Sequence, residues 1–168
     1  MRTFTAAEIA ALTEGKLLCG DPDTVITNIQ YDSRQVREGS LFVPIRGART
    51  DPHIFMAQCF EQGAAAALTE QPVSEEFTKP CILVKNTLAA LQKLAGAYRQ
   101  SLSLTLVGVT GSVGKTSTKE MIAAALSQGL DVMKTQGNKN SQIGLPMTMF
   151  EMEPHHEAAV IEMGMSEF

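Results

Sequence analysis

Residues 104–117 read Leu-Thr-Leu-Val-Gly-Val-Thr-Gly-Ser-Val-Gly-Lys-Thr-Ser, and the order of these residue types decides the fold of the second half of the chain. Leu104–Val109 is an apolar run of strand length, Thr110–Thr116 is a turn of small residues, and Ser117–Gln128 carries Met121, Ile122, Ala125 and Leu126 at helical spacing. Small residues let successive backbone amides point inward at phosphate oxygens, and the start of a helix adds its partial positive charge. Thr110, Gly111, Ser112, Val113, Gly114, Lys115, Thr116 and Ser117 therefore form a candidate nucleotide-binding loop. Lys115 supplies a full positive charge and is the candidate catalytic residue. The hydroxyl of Thr116, directly after it, is suited to coordinate the magnesium ion that accompanies ATP.

The strict phosphate-loop pattern has its first glycine where this chain has Val109, and Gly108 stands one residue too early. Gly-Lys-Thr by itself does not separate a phosphate site from a glycine-rich strand–helix turn with an exposed lysine. The flanking strand and helix favour the phosphate site.

Downstream, a second strand is expected around Val132–Met133, and a loop starting at Gly137 carries Asn138 and Asn140. Their amides offer donors and acceptors to a polar substrate, but asparagine is also a common turn residue. The run Ala158–Ile161 ends on Glu162, so that carboxylate falls at the carboxyl end of a strand, where open α/β sheets bind their ligands. Alone, Glu162 reads as an ordinary exposed glutamate; beside a phosphate loop, it reads as a ligand for Mg²⁺. His155 and His156 follow Pro154 in a polar connection and read as surface residues, while Met147, Met149 and Met152 read as flexible core filler.

The first half opens on a helix, because Thr5 and Glu8 have the spacing of a capping box, and Gly15 is expected to stop it. Short strands are expected over Thr24–Ile29 and Leu41–Ile45, separated by a turn at Asp32–Ser33 and by Glu38–Gly39–Ser40. Arg46–His53 reads as a loop, Ile54–Gln62 as a helix stopped by Gly63, and Ala64–Leu68 as a strand. Gln71–Lys79 reads as a polar surface linker, and Cys81–Val84 as a further strand. Thr87–Gln100 carries Leu88, Leu91, Leu94, Ala95 and Tyr98 at helical spacing, and is expected to join two domains. The texture changes near residue 102. The expected fold is α/β: a small amino-terminal α/β domain over 1–101, then the start of a P-loop-type parallel-sheet domain over 102–168. A parallel sheet needs more strands than 102–168 supplies to cover both its faces, so the sequence is expected to be a piece of a longer protein.

An apolar share of 44% over 168 residues supports a packed core and argues against disorder. The net charge of −4 is spread among interspersed acids and bases, with no basic run to neutralise a row of phosphates, so no nucleic-acid partner is expected. No apolar stretch has the length of a membrane span or of a signal peptide's core, which predicts a soluble, intracellular protein with no membrane insertion. Cys19, Cys59 and Cys81 lack the close spacing of metal sites and are expected to be reduced core thiols.

Thr110-Gly111-Ser112-Val113-Gly114-Lys115-Thr116-Ser117-Thr118-Lys119-Glu120-Met121 resembles the Mur ligases, whose loop runs Thr-Gly-[Thr/Ser]-x-Gly-Lys-[Thr/Ser]. Folylpolyglutamate synthases share a related loop. Gly137-Asn138-Lys139-Asn140-Ser141-Gln142-Ile143-Gly144-Leu145-Pro146 and Ala159-Val160-Ile161-Glu162-Met163-Gly164 resemble the branch of the family that acts on D-alanyl-D-alanine. Asp32-Ser33-Arg34, Gly39-x-Leu41-Phe42-Val43-Pro44 and the loop from Gly47 to Asp51-Pro52-His53 resemble that branch's amino-terminal uridine-nucleotide-binding domain. Two departures stand out: Asp-Pro-His where the branch has Asp-Gly-His, and Asn140-Ser141 where it has Asn-Asn.

The resemblance implies a cytoplasmic ligase of peptidoglycan synthesis that uses ATP and Mg²⁺. Its expected partners are UDP-N-acetylmuramoyl-tripeptide and D-alanyl-D-alanine, joined through an acyl phosphate, with this stretch inactive by itself. It also implies that Ser33, Arg34, Asn138 and Asn140 contact substrate and that Thr116 and Glu162 hold the metal. From the residues alone, an arginine in a polar turn is as well explained by solvation as by phosphate. Three other readings stay open: the preceding ligase of the series, a non-catalytic uridine-nucleotide-binding module, and a P-loop switch. The displaced glycine and the lack of an aspartate at the end of 160–162 speak against the last.

Overall fold

The computed structural model describes residues 1–47, 50–137 and 139–164. The chain divides into two compact units, Met1–Leu94 and Ala95–Phe168. The division falls inside a helix that the sequence expects to join two domains.

The first unit begins with β1 (Phe4–Thr5) and α1 (Ala6–Leu12). The capping box is formed: Glu8 N donates to Thr5 Oγ1 at 3.1 Å and Thr5 N donates to Glu8 Oε2 at 2.8 Å. Such a cap is worth about 1 kcal/mol, because it satisfies amide donors that the helix itself leaves unpaired. The helix ends earlier than expected, with Glu14 rather than Gly15 taking the positive φ, 55°. Gly15 is small for another reason: a Cβ there would lie 2.7 Å from Ile82 Cγ2.

The strands that follow are β2 (Lys16–Cys19), β3 (Val25–Ile26), β4 (Asn28–Gln30), β5 (Ser40–Phe42), β6 (Ala64–Thr69) and β7 (Cys81–Leu83). Five of them form one sheet in the order β2-β7-β6-β5-β4, parallel except for the β2–β7 pair. The expected strand Thr24–Ile29 is really two, broken at Thr27. Its first part pairs with β1 in a separate antiparallel ribbon, and Thr27 N donates instead to Gly39 O at 2.9 Å. β6 is buried along nearly its whole length, which explains its unbroken apolar sequence.

The expected helix from Ile54 is a 3-10 turn, Pro52–Phe55, running into α2 (Met56–Glu61). Phe42, Met56, Cys59, Ala64, Ala67 and Cys81 make the core between α2 and the sheet. Gln71–Lys79 is not merely a surface linker. Phe77 packs edge-on against Phe60 at 5.4 Å, and Lys79 Nζ donates to Phe60 O and Ala64 O at 3.0 and 2.9 Å.

α3 (Thr87–Gln100) has the bounds read from its periodicity and carries the chain from the first unit into the second. The second unit contains β8 (Thr105–Val109), α4 (Lys115–Leu126), β9 (Val132–Lys134), α5 (Gly144–Met149) and β10 (Ala158–Glu162). Its three strands are parallel in the order β8-β10-β9, so β10 is central and its five residues are all buried. Glu162 lies in register with Val109 at the carboxyl end of the sheet. α4 starts at Lys115 rather than Ser117. α5 was not expected at all, although Pro146 sits within its first turn, where a missing N–H costs nothing.

Candidate functional site

In the second unit the turn after β8 and the end of β10 stand side by side. Gly114 forms the N-cap of α4 with φ 77°, a left-handed conformation that glycine adopts without strain. No side chain caps the helix, so its first amides face the turn. Lys115 Nζ curls back to donate to Gly111 O at 2.7 Å, which holds the ammonium over the loop. Val113, at the tip of the turn, is 87% exposed.

Thr116 Oγ1 donates to Glu162 Oε2 at 3.0 Å, and Asn140 Nδ2 donates to Glu162 Oε1 at 2.9 Å. Glu162 is buried, and its backbone N donates to Thr135 Oγ1 at 3.0 Å. A buried carboxylate is stable only with such partners. The Thr116–Glu162 oxygen pair also fits a hard cation: two adjacent ligands of an octahedral Mg²⁺ lie roughly 3 Å apart when each is about 2.1 Å from the ion.

The predicted residues Thr110, Gly111, Ser112, Val113, Gly114, Lys115, Thr116, Ser117, Asn140 and Glu162 are thus gathered at the carboxyl edge of one sheet. Asn138 lies outside the described residues. Asn140, expected to meet substrate, holds Glu162 in the structure, and its carbonyl accepts Gly164 N at 2.9 Å. Ser141, the departure beside it, accepts Gly144 N at 3.0 Å and so fixes the start of α5.

Ser33 and Arg34 belong to the first unit, in a 3-10 turn, Ser33–Gln35, after β4. Arg34 is bound to Asp32 through two bonds, 2.9 Å from Nε and 2.7 Å from Nη2, with its side chain 86% exposed. That guanidinium, together with the Arg34 backbone N–H, pulls the Asp32 carboxyl down to about 2. Pro52, the other departure, opens its 3-10 turn at a position where proline's fixed φ and missing N–H are no handicap. Asp51 accepts the His53 N–H at 3.1 Å, and Glu70 N donates to His53 Nε2 at 3.1 Å, so the His53 proton sits on Nδ1, facing Asp51 at 2.5 Å.

Two buried participants, Lys119 and Thr135, were missed by sequence reasoning. Lys119 precedes Ala123 and Leu126 on the inner stripe of α4, and a lysine on an apolar stripe was the available signal. Asp131, His155 and His156 bring metal-ligating atoms within 4.8 Å of one another. His156 Nδ1 accepts Glu153 N–H at 2.9 Å, so the neutral ring carries its proton on Nε2 and offers no free lone pair. These histidines remain surface residues. Among the described residues no helix is long and apolar enough to cross a membrane.

Residues 25–99 match the model of the Mur ligase family catalytic domain, and residues 109–168 match that of the Mur ligase middle domain. The UDP-N-acetylmuramoyl-tripeptide–D-alanyl-D-alanine ligase of Bacillus subtilis (strain 168) is 45% identical over 164 residues, covering 96% of this chain and 36% of that protein. A crystal structure of MurF from Acinetobacter baumannii superposes with a TM-score of 0.91 at 33% identity, covering 100% of this chain and 37% of the other. The MurF ligase from Thermotoga maritima in complex with ADP matches with a TM-score of 0.76 at 36% identity over 83% of this chain and 32% of its own. The chain therefore spans about a third of the length of these relatives.

Proposed function

Because this chain belongs to the Mur ligase family, we propose that it serves an ATP-dependent ligase that joins D-alanyl-D-alanine to UDP-N-acetylmuramoyl-tripeptide in peptidoglycan synthesis, in the cytoplasm. On this reading residues 1–101 bind the uridine nucleotide, with Ser33 and Arg34 as candidate substrate contacts in that unit, and Asn138 and Asn140 are candidate substrate contacts in the second. Residues 102–168 form part of the ATP-binding domain. The observation that carries the proposal is the meeting of Thr116 and Glu162 beside the Lys115 loop at the carboxyl edge of a parallel sheet.

A carboxylate is a poor electrophile, and ATP corrects that. The terminal carboxylate oxygen of the tripeptide attacks the γ-phosphorus, the bond to the bridging oxygen breaks, and ADP leaves. The amine of D-alanyl-D-alanine then attacks the acyl carbon, inorganic phosphate departs, and the amine loses a proton. Amides 111–116 and the Lys115 ammonium bind the β- and γ-phosphoryl oxygens and stabilise charge during transfer. Thr116 and Glu162 would hold Mg²⁺, which would supply neutralising positive charge for the transfer.

The test is to incubate the whole protein with UDP-N-acetylmuramoyl-tripeptide, D-alanyl-D-alanine and ATP, following ADP release and the mass of the product. The expected result is one ADP per pentapeptide formed. ADP release with an unchanged substrate mass, or release that is equal without D-alanyl-D-alanine, would overturn the assignment.

A further inference from the structure

α4 buries only two of its twelve residues, Ala123 and Lys119, and Lys119 is 2% exposed. Sealing an ammonium inside is unfavourable unless hydrogen bonds and charge compensate, so its partners reveal its use. Lys119 Nζ donates to the backbone carbonyl of Thr135 at 2.9 Å and lies 3.3 Å from Glu120 Oε1. Glu120 also pairs with Lys134 on β9. The helix carrying Lys115 and Thr116 is thereby fastened to the end of β9.

That fastening point touches the carboxylate of the site. Thr135 is buried, its N donates to Val160 O at 3.0 Å, and its hydroxyl accepts Glu162 N at 3.0 Å. The segment leaving Thr135 carries Asn140, whose amide holds the other oxygen of Glu162. Apart from Thr116, both side chains holding Glu162 thus spring from the segment that Lys119 clamps. A methionine at 119 would fill the stripe equally well, but it would leave the Thr135 carbonyl without its donor.

We propose that Lys119 is a positioning residue for Glu162, acting through Thr135 to set the carboxylate against Thr116 for a divalent cation. The proposal rests on the reading of Thr116 and Glu162 as the metal-holding pair.

The experiment measures Mn²⁺ binding by electron paramagnetic resonance, in the presence of ADP, for the whole protein and its Lys119→Met, Thr135→Val and Glu162→Gln variants. Calorimetric ADP affinity in EDTA and thermal melting are recorded in parallel. Lys119→Met and Thr135→Val should each raise the Mn²⁺ Kd by about tenfold, as expected for a residue that orients a ligand, with ADP affinity in EDTA unchanged. Glu162→Gln should weaken Mn²⁺ at least as much. If Glu162→Gln weakens Mn²⁺ while neither of the other two does, the positioning role is wrong and the metal reading stands. If Glu162→Gln leaves Mn²⁺ binding intact, both fall. Should Lys119→Met lose its melting transition, Thr135→Val decides by the same criterion.

Discussion

Thr116 donates its hydroxyl to Oε2 of Glu162 across 3.0 Å, joining the first turn of α4 to the end of the central strand β10. The two residues are far apart in sequence, and only the parallel order β8-β10-β9 brings them together. Replacing Thr116 by Val keeps the shape but removes the oxygen. The whole protein should lose ligase activity by roughly a hundredfold, the usual cost of deleting one preorganised group at a centre of developing charge. A rate assay across a Mg²⁺ series checks this; unchanged turnover at low Mg²⁺ would sink the pairing.

Lys115 is only partly buried, and its ammonium donates to a carbonyl of the turn, Gly111 O. Lys115→Ala should therefore abolish ADP release while shifting stability by no more than about 0.5 kcal/mol, the range of surface substitutions. Melting curves and an ADP assay on the same preparation separate the two effects. Near-normal turnover in a folded variant would refute the role given to this lysine.

The elements legible in the sequence are those whose signals are local. α3 was readable residue by residue because Leu91, Leu94, Ala95 and Tyr98 recur on one face and are all buried. The Thr5–Glu8 box and the turn 110–116 likewise carry their instructions within a few residues. β2 was not readable, because Lys16–Cys19 becomes a strand only by lying antiparallel on β7. α5 was hidden by Gly144 and Pro146, which as residue types argue against a helix. At the site, Thr116 and Glu162 were legible as types, but Lys119 and Thr135 were not. Their importance lies in a carbonyl and an amide that no sequence pattern records.

Asp32 should titrate near 2, well below the usual 3.8, because the Arg34 guanidinium binds its charged form. The sign follows: a depressed carboxyl contributes stability above its unfolded value, and that contribution disappears as pH falls toward 2. Carbon-detected NMR titration of the carboxyl reads this directly. In Arg34→Gln the midpoint should rise toward the ordinary carboxylate range; a midpoint that stays put would mean the arginine is not the cause.

Burial pushes the Cys59 thiol up to about 11 and the Cys81 thiol up to about 12. At pH 8 neither should form much thiolate, so iodoacetamide should leave both unmodified in the folded protein and alkylate both once it is unfolded in roughly 6 M guanidinium. Peptide mass mapping before and after unfolding gives the answer. Rapid native labelling of Cys81 would contradict its burial between β2 and β6.

Thr5→Ala removes one half of the capping box and should cost about 1 kcal/mol in urea unfolding of the first unit. A loss of less than a few tenths would show that Glu8 alone suffices to start α1.

The uncapped start of α4 has a thermodynamic corollary. Where α1 carries its own stopper in Thr5, α4 begins at a glycine and leaves its opening amides to whatever anion arrives. The nucleotide then acts as an interchangeable part of the fold itself, a detachable cap whose presence completes the helix. Heat resistance of this half of the molecule should accordingly track the logarithm of free nucleotide concentration, rising by about 2.7 kcal/mol at a hundredfold excess over Kd. Its folding and its occupancy are one equilibrium observed from two sides.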